Sequence, residues 1–93
     1  MKFFDNIIKN KGSIIMYTSE TWPDCIEAKR FFADNQIEVT YKDIADKQNR
    51  NELRIKYQLM VVPTIIIGKK VIVGFADNRD EIIELLKKNN LIC

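Results

Sequence analysis

Cys25 is the side chain in this sequence with the most chemistry open to it. It closes the run Thr21-Trp22-Pro23-Asp24-Cys25. Thiol exchange proceeds through the thiolate, which makes up only a few per cent of an ordinary cysteine with a pKa of about 8.5 at neutrality. A nucleophilic cysteine therefore needs a helix N-terminus or a cation beside it. The 93 residues include two cysteines and no histidine, so the commonest general base, Cys-His activation and any imidazole-based zinc site are all excluded. Two cysteines cannot supply four zinc ligands, and no metal is expected. Cys93, at the last position, is expected to be an exposed thiol without a role. For Cys25 two readings stay open, an attacking thiol at a helix start and a small apolar residue in the core. Trp22 likewise reads either as a large residue at a helix start or as a contact for a partner.

The elements that must position these residues follow from periodicity. Phe3, Phe4, Ile7 and Ile8 recur at helical spacing ahead of Gly12 and predict a short N-terminal helix. Ser13 to Thr18 reads as a buried strand. Thr21 or Trp22 then serves as cap and Pro23 as first helical residue, with Asp24 near the positive end of the dipole. That helix carries Cys25, Ala28, Phe31 and Phe32 on one face, with Ile26 beside it, and ends near Asp34-Asn35. Glu38 to Ile44 alternates as a second strand through Val39 and Tyr41. Asp46 to Tyr57 returns to weak helical character, with Leu53, Ile55 and Tyr57 as its apolar groups. Thr64 to Ile67 and Lys70 to Val73, joined at Gly68-Lys69, form an antiparallel hairpin. Asn78-Arg79-Asp80-Glu81 has the form of a capping box opening a last helix through Ile82, Ile83, Leu85 and Leu86, with Lys87 and Lys88 at its end. A right-handed βαβ unit followed by a hairpin gives an α/β fold with a four-stranded mixed sheet and helices on both faces.

Composition bounds what such a unit does. The length suits one domain spanning residues 1–93, and 46% hydrophobic with 30% charged residues is an ordinary globular balance. Apolar runs such as Met60 to Val62 are far too short to cross a membrane, and a net charge of +2 compels no nucleic-acid partner. The first twelve residues lack the apolar stretch of a secretory signal, so a cytoplasmic setting with reduced thiols is expected. A monomer is expected as well.

The strand end Met16-Tyr17-Thr18, the run Thr21-Trp22-Pro23-Asp24-Cys25 with Ala28-Lys29 and Phe31-Phe32 behind it, the segment Val62-Pro63-Thr64, and Val73-Gly74-Phe75 with Asp77 stand in one order. In that order they resemble the glutaredoxin and redoxin family of the thioredoxin superfamily, over roughly Ile14 to Asn90. The resemblance implies a thioredoxin-like fold and thiol–disulfide exchange with a protein thiol or disulfide, or with glutathione. It also implies a cis bond before Pro63 and a groove that Trp22, Pro23, Val62, Pro63, Gly74 and Asp77 would help to form. The family's usual pattern is Thr-Cys-Pro-x-Cys, so Trp22 stands where its attacking cysteine would be and Cys25 is left as the single active-site thiol. Ser19 replaces the family's glutathione-contacting lysine, and Ala76 and Asp77 fill its paired acidic positions. Two functions follow as expectations: exchange through Cys25 alone, and a redox-inactive module that binds partners in the same groove.

Overall fold

The computed structural model describes residues 14–92. The expected N-terminal helix and Cys93 lie outside them. Strand β1 (Ile14–Thr18) leads to α1 (Pro23–Asp34), β2 (Thr40–Asp43) and α2 (Lys47–Lys56). The hairpin β3 (Thr64–Ile67) and β4 (Lys70–Val73), a single 3-10 turn (Ala76–Asn78) and α3 (Arg79–Lys88) follow. The four-stranded sheet has the order β2-β1-β3-β4. Strands β1 and β2 are parallel across the α1 crossover, while β3 runs antiparallel to β1 and β4 antiparallel to β3. This is the mixed sheet that the order of elements predicts.

Period-two alternation in β1 decides which helix lies on which face. Ile14 and Met16 join the larger core with Cys25, Ala28, Phe31 and Phe32 of α1 and Ile82 and Leu86 of α3. Tyr17 faces the other way and packs with Leu53 of α2 and Ile66. Helices therefore cover both faces. Helix α1 ends in a Schellman motif, with Gln36 at φ +57° and the Ile37 N–H donating to the Phe32 carbonyl at 2.9 Å.

Three local readings need correction. The second strand is shorter than 38–44, and Tyr41 on this edge strand is 41% exposed, with the Lys29 ammonium of α1 5.7 Å from its ring centroid. Ile55 is 68% exposed rather than part of the α2 core. Leu53 and Tyr57, four apart, share the buried face of α2, and two steps of about 100° turn Ile55 to the far side. The capping box does not form, since Asn78 makes no side-chain cap bond to α3. Its amide instead donates to the Val73 carbonyl at 2.7 Å and the Gly74 carbonyl at 3.1 Å. The 3-10 turn feeds α3 directly, and the Asn78 amide turns back to the end of β4 instead of capping the helix.

Under α2, the Glu52 carboxylate accepts hydrogen bonds from the Tyr17 hydroxyl at 2.5 Å and the Lys42 ammonium at 2.6 Å. Burial first, and Glu52 second, push the Tyr17 hydroxyl well above the ordinary tyrosine range. The hydrogen bond from Lys42, then that from Tyr17, holds Glu52 below the usual carboxylate range. Glu52 therefore contributes stability above an unfolded value of about pH 4.3, lost as pH falls through its lower folded value. The Tyr17 contribution is complete below about pH 10 and is lost as pH rises. Urea unfolding across pH should show Glu52→Gln flattening the acid limb and Tyr17→Phe flattening the alkaline limb. At neutrality Tyr17→Phe should cost about 1 kcal/mol. Parallel limbs in variant and wild type would mean the network contributes nothing to folding.

Candidate functional site

Trp22 is the cap of α1, with extended φ and ψ of −79° and 122°, and Pro23 is the first helical residue. The Trp22 carbonyl accepts from the N–H groups of Cys25 at 3.0 Å and Ile26 at 3.1 Å. No side chain caps the helix, since an indole N–H can only donate, and the Trp22 side chain is 56% exposed. Cys25, the third helical residue, lies on the face of Ala28 and Phe32 and is 0% exposed within the larger core. Ile26, one step further round, is exposed. Three positions apart at the start of α1, Trp22 and Cys25 thus differ in exposure, the cap residue reaching solvent and the third helical residue closed into the core.

Asp24 lies between them in the chain, and its carboxylate is engaged by backbone amides. One oxygen accepts from the Phe75 N–H at 2.7 Å and the other from the Ala76 N–H at 3.1 Å. The start of α1 is thereby tied to the corner after β4. That corner depends on Gly74, whose φ of +93° is strained for any residue with a Cβ. The Gly74 N–H donates to the Pro63 carbonyl at 2.8 Å, and the Phe75 ring is buried with its centroid 5.4 Å from that of Phe31. Gly74 therefore fixes the corner beside Pro63, and Asp77 stands exposed on the turn beyond it.

The Val62–Pro63 peptide bond is cis, as the resemblance implies. Just ahead of it, the Thr64 hydroxyl donates to the Val61 carbonyl at 2.6 Å. Ser19, Trp22, Ile44, Met60, Val61 and Val62 line an open, mostly apolar groove of about 340 Å³. Pro63 is buried beneath it, and Val62 also packs against the core cluster that contains Cys25. Among the described residues no hydrogen bond takes the Val62 N–H or C=O. A groove of this size sits at the small end of ligand sites and suits one side chain of an extended chain running past Val62.

The structure brings Trp22 and Val62 together as groove walls; Pro23 and Pro63 follow them directly in the chain, and Gly74 is tied to Pro63 by a backbone hydrogen bond, but none of these three lines the groove. Cys25 lies in the core, and Asp77 is exposed on the 3-10 turn, outside the residues that line the groove. Met60 and Ile44 were missed as wall residues, although an apolar Met60-Val61-Val62 run left exposed ahead of a proline was a usable signal. The clamp made by Asp24 had none, because its partners are backbone groups of Phe75 and Ala76, far away in sequence. Among the described residues no group of three or more His, Cys, Asp or Glu could hold a metal ion, and no helix is long and apolar enough to cross a membrane.

Comparisons with known proteins bear on the whole arrangement. The glutaredoxin family model matches residues 14–72. No curated protein matches. The crystal structure of the thioredoxin-like protein BC3987 superposes with a TM-score of 0.70 at 30% identity, over 78% of this chain and 99% of that one. Two glutaredoxins share the fold at lower identity. The one from Archaeoglobus fulgidus gives a TM-score of 0.69 at 18% identity, over 87% of this chain and 92% of that one. The buckwheat glutaredoxin, in its glutathione complex, gives 0.68 at 14% identity, over 98% and 91%. With the family match spanning the helix start, the groove and the hairpin, this chain belongs to the glutaredoxin family, whose thioredoxin-like fold supports a thiol–disulfide oxidoreductase-like function.

Proposed function

We propose that this chain recognises an extended thiol- or disulfide-bearing partner in the groove between Trp22 and Pro63, and that Cys25 does not attack from the folded resting state. The contrast between a 56% exposed Trp22 and a 0% exposed Cys25 carries this reading. Trp22 stands in the position that the family's attacking cysteine would hold and serves as an anchor for the partner. The Val62 backbone, which has no hydrogen-bond partner among the described residues, orients that partner by adding it as an extended strand. Glutathione is a candidate small partner because the buckwheat relative is described as a glutathione complex. A cytoplasmic setting, where thiols stay reduced, fits this reading.

Single-cysteine exchange at Cys25 is the second reading, favoured by its place in the first turn of α1, where helix amides stabilise a thiolate. It needs the helix start to open before the sulfur meets a disulfide. Alkylation of Cys25 in a Cys93→Ser background separates the two. The binding reading expects labelling only as denaturant is added, binding of a cysteine-containing extended peptide unchanged by Cys25→Ser, and binding weakened about ten-fold or more by Trp22→Ala. Rapid labelling of the native protein, with exchange activity lost in Cys25→Ser, would replace it with the single-cysteine mechanism.

A further inference from the structure

Oxidisable sulfur in this chain divides by exposure. Among the described residues it occurs in Met16, Cys25 and Met60, and the first two are 0% exposed in the larger core. Met60 is 60% exposed and lines the groove with Trp22, Val61 and Val62. Methionine is by habit a buried residue, so a methionine left open at the candidate site calls for a structural cause. Beyond the end of α2, Gln58 turns through left-handed backbone at φ +58°, and the Leu59 N–H donates back to the Leu53 carbonyl at 3.3 Å. Leu59 packs into the cluster of Tyr17 and Leu53, and the next side chain, Met60, is left outside it. On the other side of Met60, the Thr64 hydroxyl holds the Val61 carbonyl at 2.6 Å. A segment tied at both ends thus presents Met60 to solvent.

We infer that Met60 is an oxidant-sensitive modification site, where hydrogen peroxide converts the thioether to the sulfoxide and thereby weakens binding in the groove. This rests on the groove-binding reading above and adds a control to it. In the step, a sulfur lone pair attacks one peroxide oxygen, an S–O bond forms and the O–O bond breaks. The proton on the transferred oxygen passes to the other oxygen, which leaves as water. Sulfur is oxidised by two electrons and the peroxide reduced by two. The product is a polar group with a strong acceptor oxygen in a mostly apolar wall. An apolar side chain lodged beside it loses packing and shuts that oxygen away from water. Cys25, closed into the core, is spared by the same treatment.

Cys93→Ser protein would be treated with hydrogen peroxide, freed of it, and mapped by mass spectrometry. In the native protein Met60 should gain oxygen about ten-fold or more faster than Met16, and the two rates should converge in denaturant. Trp22 is the only tryptophan in the chain, so its emission reports occupation of the groove. Titrated with a blocked octapeptide that has a central leucine and no cysteine, the oxidised protein should bind about ten-fold more weakly than the untreated one. Methionine sulfoxide reductase should restore the affinity. Met60→Leu, compared with its own untreated sample, should lose nothing to peroxide. Equal oxidation of Met60 and Met16 in the native protein would overturn the inference. So would a Met60 sulfoxide that binds as tightly as the thioether, or an equal loss in Met60→Leu. If the untreated protein shows neither a shift in Trp22 emission nor heat in calorimetry with the peptide, the groove reading falls and the control of it by oxidation falls too.

Discussion

Trp22→Cys is expected to give this protein a working dithiol couple. The cap of α1 and its third residue have the spacing of a Cys-x-x-Cys pair, and the cap position is open to solvent where Cys25 is closed. A thiol introduced at the cap stands at the positive end of the α1 dipole, a placement that lowers thiol pKa values in such motifs to about 7 or below. Against an ordinary value of about 8.5, that raises the thiolate fraction at neutrality by about ten-fold or more, before access is counted. The expected sequence is attack by the introduced thiolate on a substrate disulfide, release of one substrate thiol, and formation of a mixed disulfide. Cys25 then displaces the second substrate thiol, leaving an internal disulfide that a dithiol such as dithiothreitol reduces. Turnover of a small disulfide by dithiothreitol, compared among wild type, Trp22→Cys and Trp22→Cys/Cys25→Ser, measures the gain. A folded Trp22→Cys protein without exchange activity would show that the site lacks more than an attacking group, and would count against the groove as a place where disulfides dock.

Asp24→Ala should be among the most damaging substitutions outside the core. Its carboxylate satisfies the Phe75 and Ala76 amides together, and removing it leaves two backbone donors at a tight corner without a partner. Hydrogen bonds to a charged group contribute about 1.5–3 kcal/mol each in protected sites. The Ala76 bond is exposed, so a total loss of about 2 kcal/mol is a fair expectation. For a chain of this size that lowers the unfolding midpoint by roughly 10 °C. Asp24→Asn, which keeps one acceptor oxygen, should lose about half as much. Hydrogen exchange should quicken at Phe75 and Ala76 first, because the clamp joins α1 to that corner. A loss below about 0.5 kcal/mol would mean that water replaces the carboxylate and that other contacts hold the corner.

The order of strands and helices was legible from periodicity because each element buries a regular face. Ile14, Met16 and Tyr17 alternate across β1, and Cys25, Ala28 and Phe32 recur on one side of α1. The helix start at Pro23 was legible too, since proline at the first position and an acid at the second are local signals that need nothing from the rest of the chain. Residue identity alone also determined that a histidine-dependent mechanism is absent and that Cys25 is the one thiol in the family-like motif.

Tertiary structure decided the rest, wherever a side chain had a choice of partners. Asn78 had the spacing of a capping residue but turned to the Val73 and Gly74 carbonyls, which the hairpin brings within reach of its amide. Asp24 read as a dipole-stabilising acid and became a clamp once the hairpin carried the Phe75 and Ala76 amides to the start of α1. Whether Cys25 faced solvent or core depended on where α1 lay on the sheet, and so did the exposure of Trp22. Periodicity names the faces of a helix, but only its neighbours determine which face is covered.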